Sequence, residues 1–181
     1  MQDEFAIDQP CDCREKMRLQ VRRLYWAERE KEKVGVLTHT IALGSFPAPK
    51  FYRLNTSTNT VTQSGFYFAS ATSDDFNASI AANDAGDCFV TWTSTDASAA
   101  KNAQVRLSGK RSADAIIATP GGPSAFTSPT FYHPSADNPE RWGDYSAVTT
   151  DPLNSANAWL VNEKINQGGL LWGSRIVRFG F

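Results

Sequence analysis

The hydrophobic residues of this chain mostly alternate with polar ones, which is typical of β-strands. Within the charged stretch at residues 14–33, apolar residues alternate up to Val21 and resume on the opposite parity at Leu24. This pattern predicts a strand with one bulge rather than a surface helix, followed by a hairpin loop at residues 28–33. Further strands are predicted at residues 34–43, 51–54 and 61–68, which makes the first unit a four-stranded meander.

A similar arrangement recurs twice further along the chain, as a degenerate repeat. The second unit begins at Ser79 and the third at Ser146, and each continues through a polar turn into a second and a third strand. Cys88, Val90 and Trp92 share one parity in the second unit, so we expect them on one face of a sheet. The predicted turns are residues 83–87 and 151–157, and the predicted strands after them are residues 88–92, 102–107, 158–162 and 172–177.

Repeated meanders without convincing helix predict an all-β fold built as part of a β-propeller. We expect residues 1–181 to form a single domain of about three four-stranded antiparallel blades, at residues 15–70, 76–125 and 140–181. Closed propellers have 4 to 8 blades, so three blades would leave two open apolar faces. We expect further blades of a longer parent chain to bury these faces. Self-association into a ring and a compact sandwich are the alternatives.

Charge and composition restrict the functional classes. The 18 Lys and Arg residues balance 19 Asp and Glu residues, which argues against a nucleic-acid partner. No apolar run reaches the roughly 20 residues that a membrane helix needs, so membrane insertion is not expected. No secretory signal is visible at Met1. Cys88 is expected to be a buried free thiol rather than the partner of Cys11 or Cys13 in a disulfide.

Two stretches carry a likeness to a known family. Arg141-Trp142-Gly143-Asp144-Tyr145-Ser146 and Trp172-Gly173-Ser174-Arg175-Ile176 resemble segments in the last blades of bacterial sialidase-like propeller proteins of the BNR or Asp-box type. The segment from Ala82 to Phe89 also resembles an Asp box, because it keeps Asp84, Gly86 and an aromatic residue but lacks the hydroxyl. In this family the box is a structural turn, so the resemblance implies a fold and an extracellular or cell-surface location.

The resemblance also implies a set of candidate catalytic residues. A sialidase needs arginines around the substrate carboxylate, a Tyr nucleophile paired with a Glu, and an Asp acid/base. The residues with suitable chemistry are Arg141, Asp144, Tyr145, Glu163 and Arg175. The early Arg-Ile-Pro segment of the family does not occur in this chain. A catalytic centre on the propeller axis would also need loops from most blades, so any activity would belong to a longer parent.

The aromatic and charged side chains between residues 132 and 145 also have less specific interpretations. Arg141 and Asp144 could form an internal ion pair, while Tyr132, Trp142 and Tyr145 could either stack on sugar rings or pack between blades. Asp144 and Asp151 are weak candidates for Ca²⁺ ligands, and no other cofactor is indicated. The function predicted is a non-catalytic ligand-binding or scaffold section, with a glycan or a surface protein as partner. The alternative is a fragment of a sialidase-type glycoside hydrolase.

Overall fold

The structure is a computed structural model that describes residues 25–26, 34–115, 119–134, 142 and 145–181. Within these ranges the chain is all-β, with no helix and therefore no helix that could span a membrane. The strand predicted before Leu24, the loop at 28–33, and Cys11, Cys13, Arg141, Gly143 and Asp144 lie outside the described residues.

The described strands form three sheets whose neighbouring strands are antiparallel, except for one short parallel pair between β4 and β8. The first sheet has the order β1-β2-β3-β4-β8, with β1 Tyr25–Trp26, β2 Val34–Leu43, β3 Phe46–Asn55, β4 Thr60–Phe68 and β8 Thr119–Pro120. The second has the order β5-β6-β7-β9, with β5 Asp74–Ala82, β6 Cys88–Asp96, β7 Lys101–Lys110 and β9 Ser124–Thr127. The third contains β10 Ala147–Thr150, β11 Asn157–Ile165 and β12 Trp172–Gly180.

The three sheets are stacked in chain order, and β6 lies at the centre of the stack. One face of the second sheet contributes Ile80, Cys88, Val90 and Trp92 to a core with Val36, Phe51 and Tyr67 of the first sheet. The other face contributes Phe89 and Val105 to a core with Val148, Ala158 and Leu160 of the third sheet. The shared face expected for Cys88, Val90 and Trp92 is confirmed, because successive side chains of a strand point to opposite sides.

The turn at residues 83–87 joins β5 to β6 and contains Asp84 and Gly86 of the segment that resembles an Asp box. Gly86 has φ of 79°, the left-handed conformation that glycine adopts without a Cβ penalty. The side-chain oxygen of Asn83 accepts the backbone N–H of Asp87 at 2.8 Å, and the Asn83 amide donates to the Asp87 carboxylate at 3.0 Å. Asp84 itself is exposed. Gly86 thus takes the positive φ of this turn, and Asn83 and Asp87 supply its side-chain hydrogen bonds.

Strands of the first and third sheets differ from the prediction. β3 begins at Phe46 rather than at residue 51, although it contains Pro47 and Pro49. Both prolines pair with β2 on one side, while β4 pairs with β3 from Lys50 onwards. The prolines thus occupy an edge position, where a missing N–H costs no ladder hydrogen bond. The third sheet has three strands in the described part of the chain, one fewer than predicted.

The segment after β7 also departs from the predicted blade boundary at residue 125. β8 joins the edge of the first sheet, beside Tyr67 and Phe68, and β9 then returns to β7 of the second sheet. A Cβ at Gly121 would meet the backbone of Ala69, and one at Gly122 would meet the backbone of β7. Glycine is required at both positions, because the chain passes closely between the edges of two sheets.

Candidate functional site

The loop end of the stack is the end at which β2, β6 and β11 terminate. It comprises residues 44–45, 69–73, 97–100, 128–134, 142, 145–146 and 166–171. Pairing registers place the beginning of β5 beside the last residues of β6, and the beginning of β10 beside Val161 of β11. Ser146, just before β10, connects β10 to β5, because its hydroxyl donates to the carbonyl oxygen of Asn77 at 2.8 Å.

Buried carboxylates hold the loop end of the second sheet in place. Asp75 is fully buried and accepts hydrogen bonds from Trp92 Nε1 at 2.7 Å, from the Ser73 hydroxyl at 2.5 Å and from the Ala69 N–H at 3.1 Å. Asp96 accepts the Ser70 hydroxyl at 2.6 Å, and this bond with others lowers the pKa of Asp96. These bonds satisfy the buried polar groups and make the loop a fixed structure.

A cleft of about 250 Å³ opens between this loop and the β2–β3 hairpin. Its lining consists of apolar residues and two serines: Leu43, Phe46, Pro47, Ala48, Phe68, Ser70, Ala71 and Ser73. The hydroxyls of Ser70 and Ser73 already donate to Asp96 and Asp75. Ligand sites combine an apolar lining with polar groups that converge on the ligand, and the lining serines donate their protons elsewhere. The cleft is therefore the weaker candidate site.

The loop at residues 128–134 is fixed against the third sheet. The Ser128 N–H donates to Ala103 O at 2.9 Å, and the Ser128 hydroxyl accepts the Ile165 N–H at 3.0 Å. Further along, the His133 N–H donates to Gly169 O at 2.9 Å. Gly169 has φ of 74°, and a Cβ there would meet the backbone of Phe131. The aromatic residues of this loop consequently project from an ordered support.

Aromatic side chains of this loop and of the segment before β10 lie together. The rings of Tyr132 and Trp142 meet edge to face, with centroids 5.5 Å apart. Both are half-buried, whereas Phe131 is 66% exposed and Tyr145 is 68% exposed. Trp142 and Tyr145 are three positions apart in the sequence, which limits their Cα separation to about 10 Å. Tyr132 and Trp142 form a packed pair, and Phe131 and Tyr145 supply exposed ring surface at the same end.

The indole N–H of Trp142 is buried, with no acceptor within hydrogen-bond distance among the described residues. A buried indole edge identifies Trp142 as a packing residue rather than a free stacking platform. The sequence prediction named Tyr132, Trp142 and Tyr145 as ligand-binding residues. It left out Phe131, which has no local sequence signal beyond its place in an aromatic-rich stretch.

Two of the candidate catalytic residues lie on opposite faces of the third sheet. Arg175 pairs with Asn162 on the face toward the second sheet, where its guanidinium lies 5.9 Å from the Phe126 ring centroid. Lys164 lies 5.2 Å from the same ring. Glu163 is the next residue after Asn162, so its side chain points to the other face. Side chains on opposite faces of one sheet do not converge on one ligand.

Asp151, a candidate Ca²⁺ ligand, is buried in the turn between β10 and β11, at the end of the stack opposite the loop end. Its Oδ1 accepts the Leu153 N–H at 2.9 Å, and its Oδ2 accepts Arg178 Nε at 2.8 Å. The backbone bond and the Arg178 guanidinium hold the pKa of Asp151 below its ordinary value. Both oxygens are committed to the protein. In the part of the chain that the structure describes, no group of three His, Cys, Asp or Glu could hold a metal ion.

His39 is placed as a strand residue that contacts Tyr52. Its Nε2 lies 3.4 Å from the Tyr52 hydroxyl, and the two rings meet edge to face with centroids 5.5 Å apart. Burial, together with the charge of Lys50, lowers the pKa of His39. His39 is therefore a strand residue whose ring is occupied by its contact with Tyr52.

Comparison of the chain with protein-family models, with curated protein sequences and with solved structures finds no match. The geometry therefore defines the class directly, as an all-β protein of three stacked sheets with an aromatic loop end.

Proposed function

We propose that this chain is a non-catalytic, ligand-binding section of a sialidase-like β-propeller, and that carbohydrate is the ligand class. The observation that carries the proposal is the aromatic cluster at the loop end, in which Phe131 and Tyr145 expose most of their surface. An aromatic ring offers a flat apolar face and, in Tyr, a polar tip. Sugars present the matching surface, with C–H groups on one face and hydroxyls around the rim.

The support beneath the cluster favours binding over simple exposure. The backbone of the 128–134 loop is held by the Ser128 and His133 bonds, and the Tyr132–Trp142 pair packs at the same end. A site whose support is already ordered pays less conformational entropy on binding. Exposed aromatic residues on flexible loops would lose more conformational entropy on binding.

The hydrolase alternative has less support from the geometry. Sialidase chemistry needs a cationic group and a Glu that act on one substrate. Arg175 lies against Phe126 on one face of the third sheet, and Glu163 points to the other. We accordingly place the ligand at the aromatic cluster and give Glu163 and Arg175 no catalytic role. An extracellular or cell-surface location belongs to the same proposal.

The proposal is tested by presenting the 181-residue chain to an immobilised oligosaccharide panel that includes sialosides, followed by calorimetric titration of the best-bound sugar. Tyr145→Ala and Phe131→Ala are each expected to weaken binding about fivefold, since one aromatic stacking contact contributes about 1 kcal/mol. Leu153→Ala is the matched control, because Leu153 is 94% exposed in the turn at the opposite end of the stack.

Three results would overturn the proposal. The wild-type chain could bind no sugar of the panel, or the affinity could be unchanged in both aromatic variants. Release of the fluorophore from a fluorogenic sialoside by the purified chain would instead favour the hydrolase.

A further inference from the structure

The third sheet has an apolar face that points away from the rest of the stack. Trp159 is 42% exposed, Ile176 66% and Trp172 57%. Val161 pairs with Ile176, and Trp159 pairs with Arg178, so these side chains share one side of the sheet. We call this surface the third-sheet face; it consists of Trp159, Val161, Glu163, Trp172, Ile176 and Arg178.

Pairing registers show what this face corresponds to elsewhere in the molecule. In the second sheet, Ala81 pairs with Phe89 and Ser79 with Thr91. In the third sheet, Thr149 pairs with Trp159 and Ala147 with Val161, at the same distances from the turn. The turns are closed alike, since Asn83 N donates to Asp87 O and Asp151 N to Asn157 O. Trp159 and Val161 are thus the counterparts of Phe89 and Thr91.

The counterpart residues in the second sheet are completely covered. Phe89 and Thr91 each have 0% exposure, and Phe89 belongs to the core that the second sheet shares with the third. At both internal interfaces the following sheet contributes its other face, with Cys88 and Val90 in the second sheet and Ala158 and Leu160 in the third. The third-sheet face is therefore equivalent to a surface that accepts one more sheet.

The first sheet presents the opposite kind of face at the other end of the stack. We call it the first-sheet face; it consists of Leu37, His39, Lys50, Tyr52 and Phe66, all half-buried. Lys50 Nζ lies 5.2 Å from the Tyr52 ring centroid and 5.5 Å from that of Phe66, which shows that the three share one side. Val36, Phe51 and Tyr67 occupy the side that covers the second sheet.

We propose that the third-sheet face of one copy of this chain packs on the first-sheet face of a second copy, and that two copies close into a ring of six sheets. The internal interfaces indicate which surface covers the third-sheet face. In each of them the following sheet contributes the side that the first sheet leaves uncovered in its first-sheet face. Six sheets fall within the 4 to 8 blades of closed propellers. This inference rests on the sheet stacking and is independent of carbohydrate binding.

The area and the charges of the two faces agree with such a dimer. The third sheet has strands of four, nine and nine residues, which cover about 350 Å² at about 3.3 Å per residue and about 4.8 Å between strands. Two such interfaces would bury roughly 1,400 Å² over both partners, within the standard range for stable complexes. Lys50 gives the first-sheet face a positive charge, Glu163 gives the other a negative one, and Arg178 is neutralised by Asp151.

The proposal is tested by light scattering on the purified 181-residue chain. The wild-type chain should have the mass of two copies at micromolar concentrations. Ile176→Glu places a charge on the third-sheet face, and Lys50→Glu reverses the charge on the first-sheet face. Each variant is expected to have the mass of one copy, with an unchanged circular dichroism spectrum. Leu153→Glu makes the same kind of change on the exposed turn and should retain the dimer.

Mixing the two variants separates head-to-tail pairing from other arrangements. A mixture of Ile176→Glu and Lys50→Glu chains keeps one unmodified interface per dimer, so a heterodimer of intermediate affinity should appear. A monomeric wild-type chain would overturn the proposal. So would a Lys50→Glu dimer as stable as wild type, which would indicate that two third-sheet faces pair with each other, and so would a ladder of larger assemblies.

Discussion

The two interfaces on either side of β6 differ in kind, although one strand supplies both. Toward the first sheet, Trp92 extends a row of rings in which Phe51 and Tyr67 lie 5.1 Å apart and Tyr67 and Trp92 lie 5.6 Å apart. Toward the third sheet, Asn162 bridges Thr91 and Thr93, with both hydrogen bonds at 3.3 Å. The first interface gains its stability from apolar burial, and the second places a hydrogen-bonded polar group at its centre.

The two interfaces fix the relative position of their sheets in different ways. Apolar burial is large but non-directional, so a row of rings tolerates small sliding of one sheet over the other. A buried polar group must keep its partners, and it penalises any arrangement that removes them. Asn162 occupies the position in β11 that Trp92 occupies in β6, as the pairing registers of the two hairpins show. The same strand position thus contributes apolar burial in the second sheet, and in the third it contributes hydrogen bonds that fix how the sheets are aligned.

Removal of the Trp92 ring is expected to have the largest effect. Trp92→Ala should lower the free energy of unfolding by about 3–5 kcal/mol, because it creates a cavity in a fully buried site. Trp92→Phe keeps most of the ring but leaves Asp75 Oδ1 without its indole donor, and should cost about 1–3 kcal/mol. Urea unfolding followed by circular dichroism measures both values.

Trp159→Ala is the matched control for this comparison, since Trp159 lies on the partly exposed face of the third sheet. It should destabilise the chain less than Trp92→Ala does. Equal losses for the two tryptophans would contradict the placement of Trp92 at the centre of the stack.

The polar interface is tested at Asn162, with an intermediate effect. Asn162→Leu removes the acceptor for Thr93 and for the Glu163 N–H, and should cost about 1–3 kcal/mol in the free energy of unfolding. Thr91 keeps a partner, because its hydroxyl donates to Arg106 O at 2.8 Å. Adding Thr93→Val removes the orphaned hydroxyl and should recover part of the loss. If the double variant lost more free energy of unfolding than the two single variants together, packing rather than hydrogen bonding would govern this interface.

Much of the fold could be predicted from local pattern. The polar turn at residues 83–87 and the alternation of Cys88, Val90 and Trp92 gave a hairpin and its buried face, because these features depend on nearest neighbours. Local pattern predicts β3 only from residue 51, because Pro47 and Pro49 lack the N–H that a strand interior normally uses. Their tolerance depends on where β4 ends its pairing, which is a long-range property.

The candidate site was less predictable for the same reason. The aromatic residues were visible in the sequence, but exposure separates Tyr145 from Trp142, and exposure is set by contacts distant in sequence. The opposite placement of Glu163 and Arg175 follows from β11–β12 pairing, which fixes Asn162 beside Arg175. Residue chemistry suggested candidates, and strand register decided which of them could act together.

The smallest expected effect concerns Cys88, which probes how dry the apolar interface is. Cys88 is a buried free thiol, as the sequence analysis expected, and burial raises its pKa from 9.0 to about 11. The neutral thiol is favoured in the folded chain, so its contribution to stability is complete below pH 9 and is lost as the pH rises through 11. Cys88→Ala should cost about 1 kcal/mol at pH 7.

The pH dependence of this variant distinguishes a dry interface from a wet one. The free-energy difference between Cys88→Ala and the parent chain should shrink as the pH rises from 9 to 11, because the alanine variant has no thiol to ionise. A parent that carries Cys11→Ser and Cys13→Ser leaves Cys88 as its single thiol. That thiol should react with an aromatic disulfide reagent at the rate at which the chain opens. Immediate reaction at pH 8, or a pH-independent difference between the two chains, would mean that water reaches Cys88 and that the row of rings does not seal this interface.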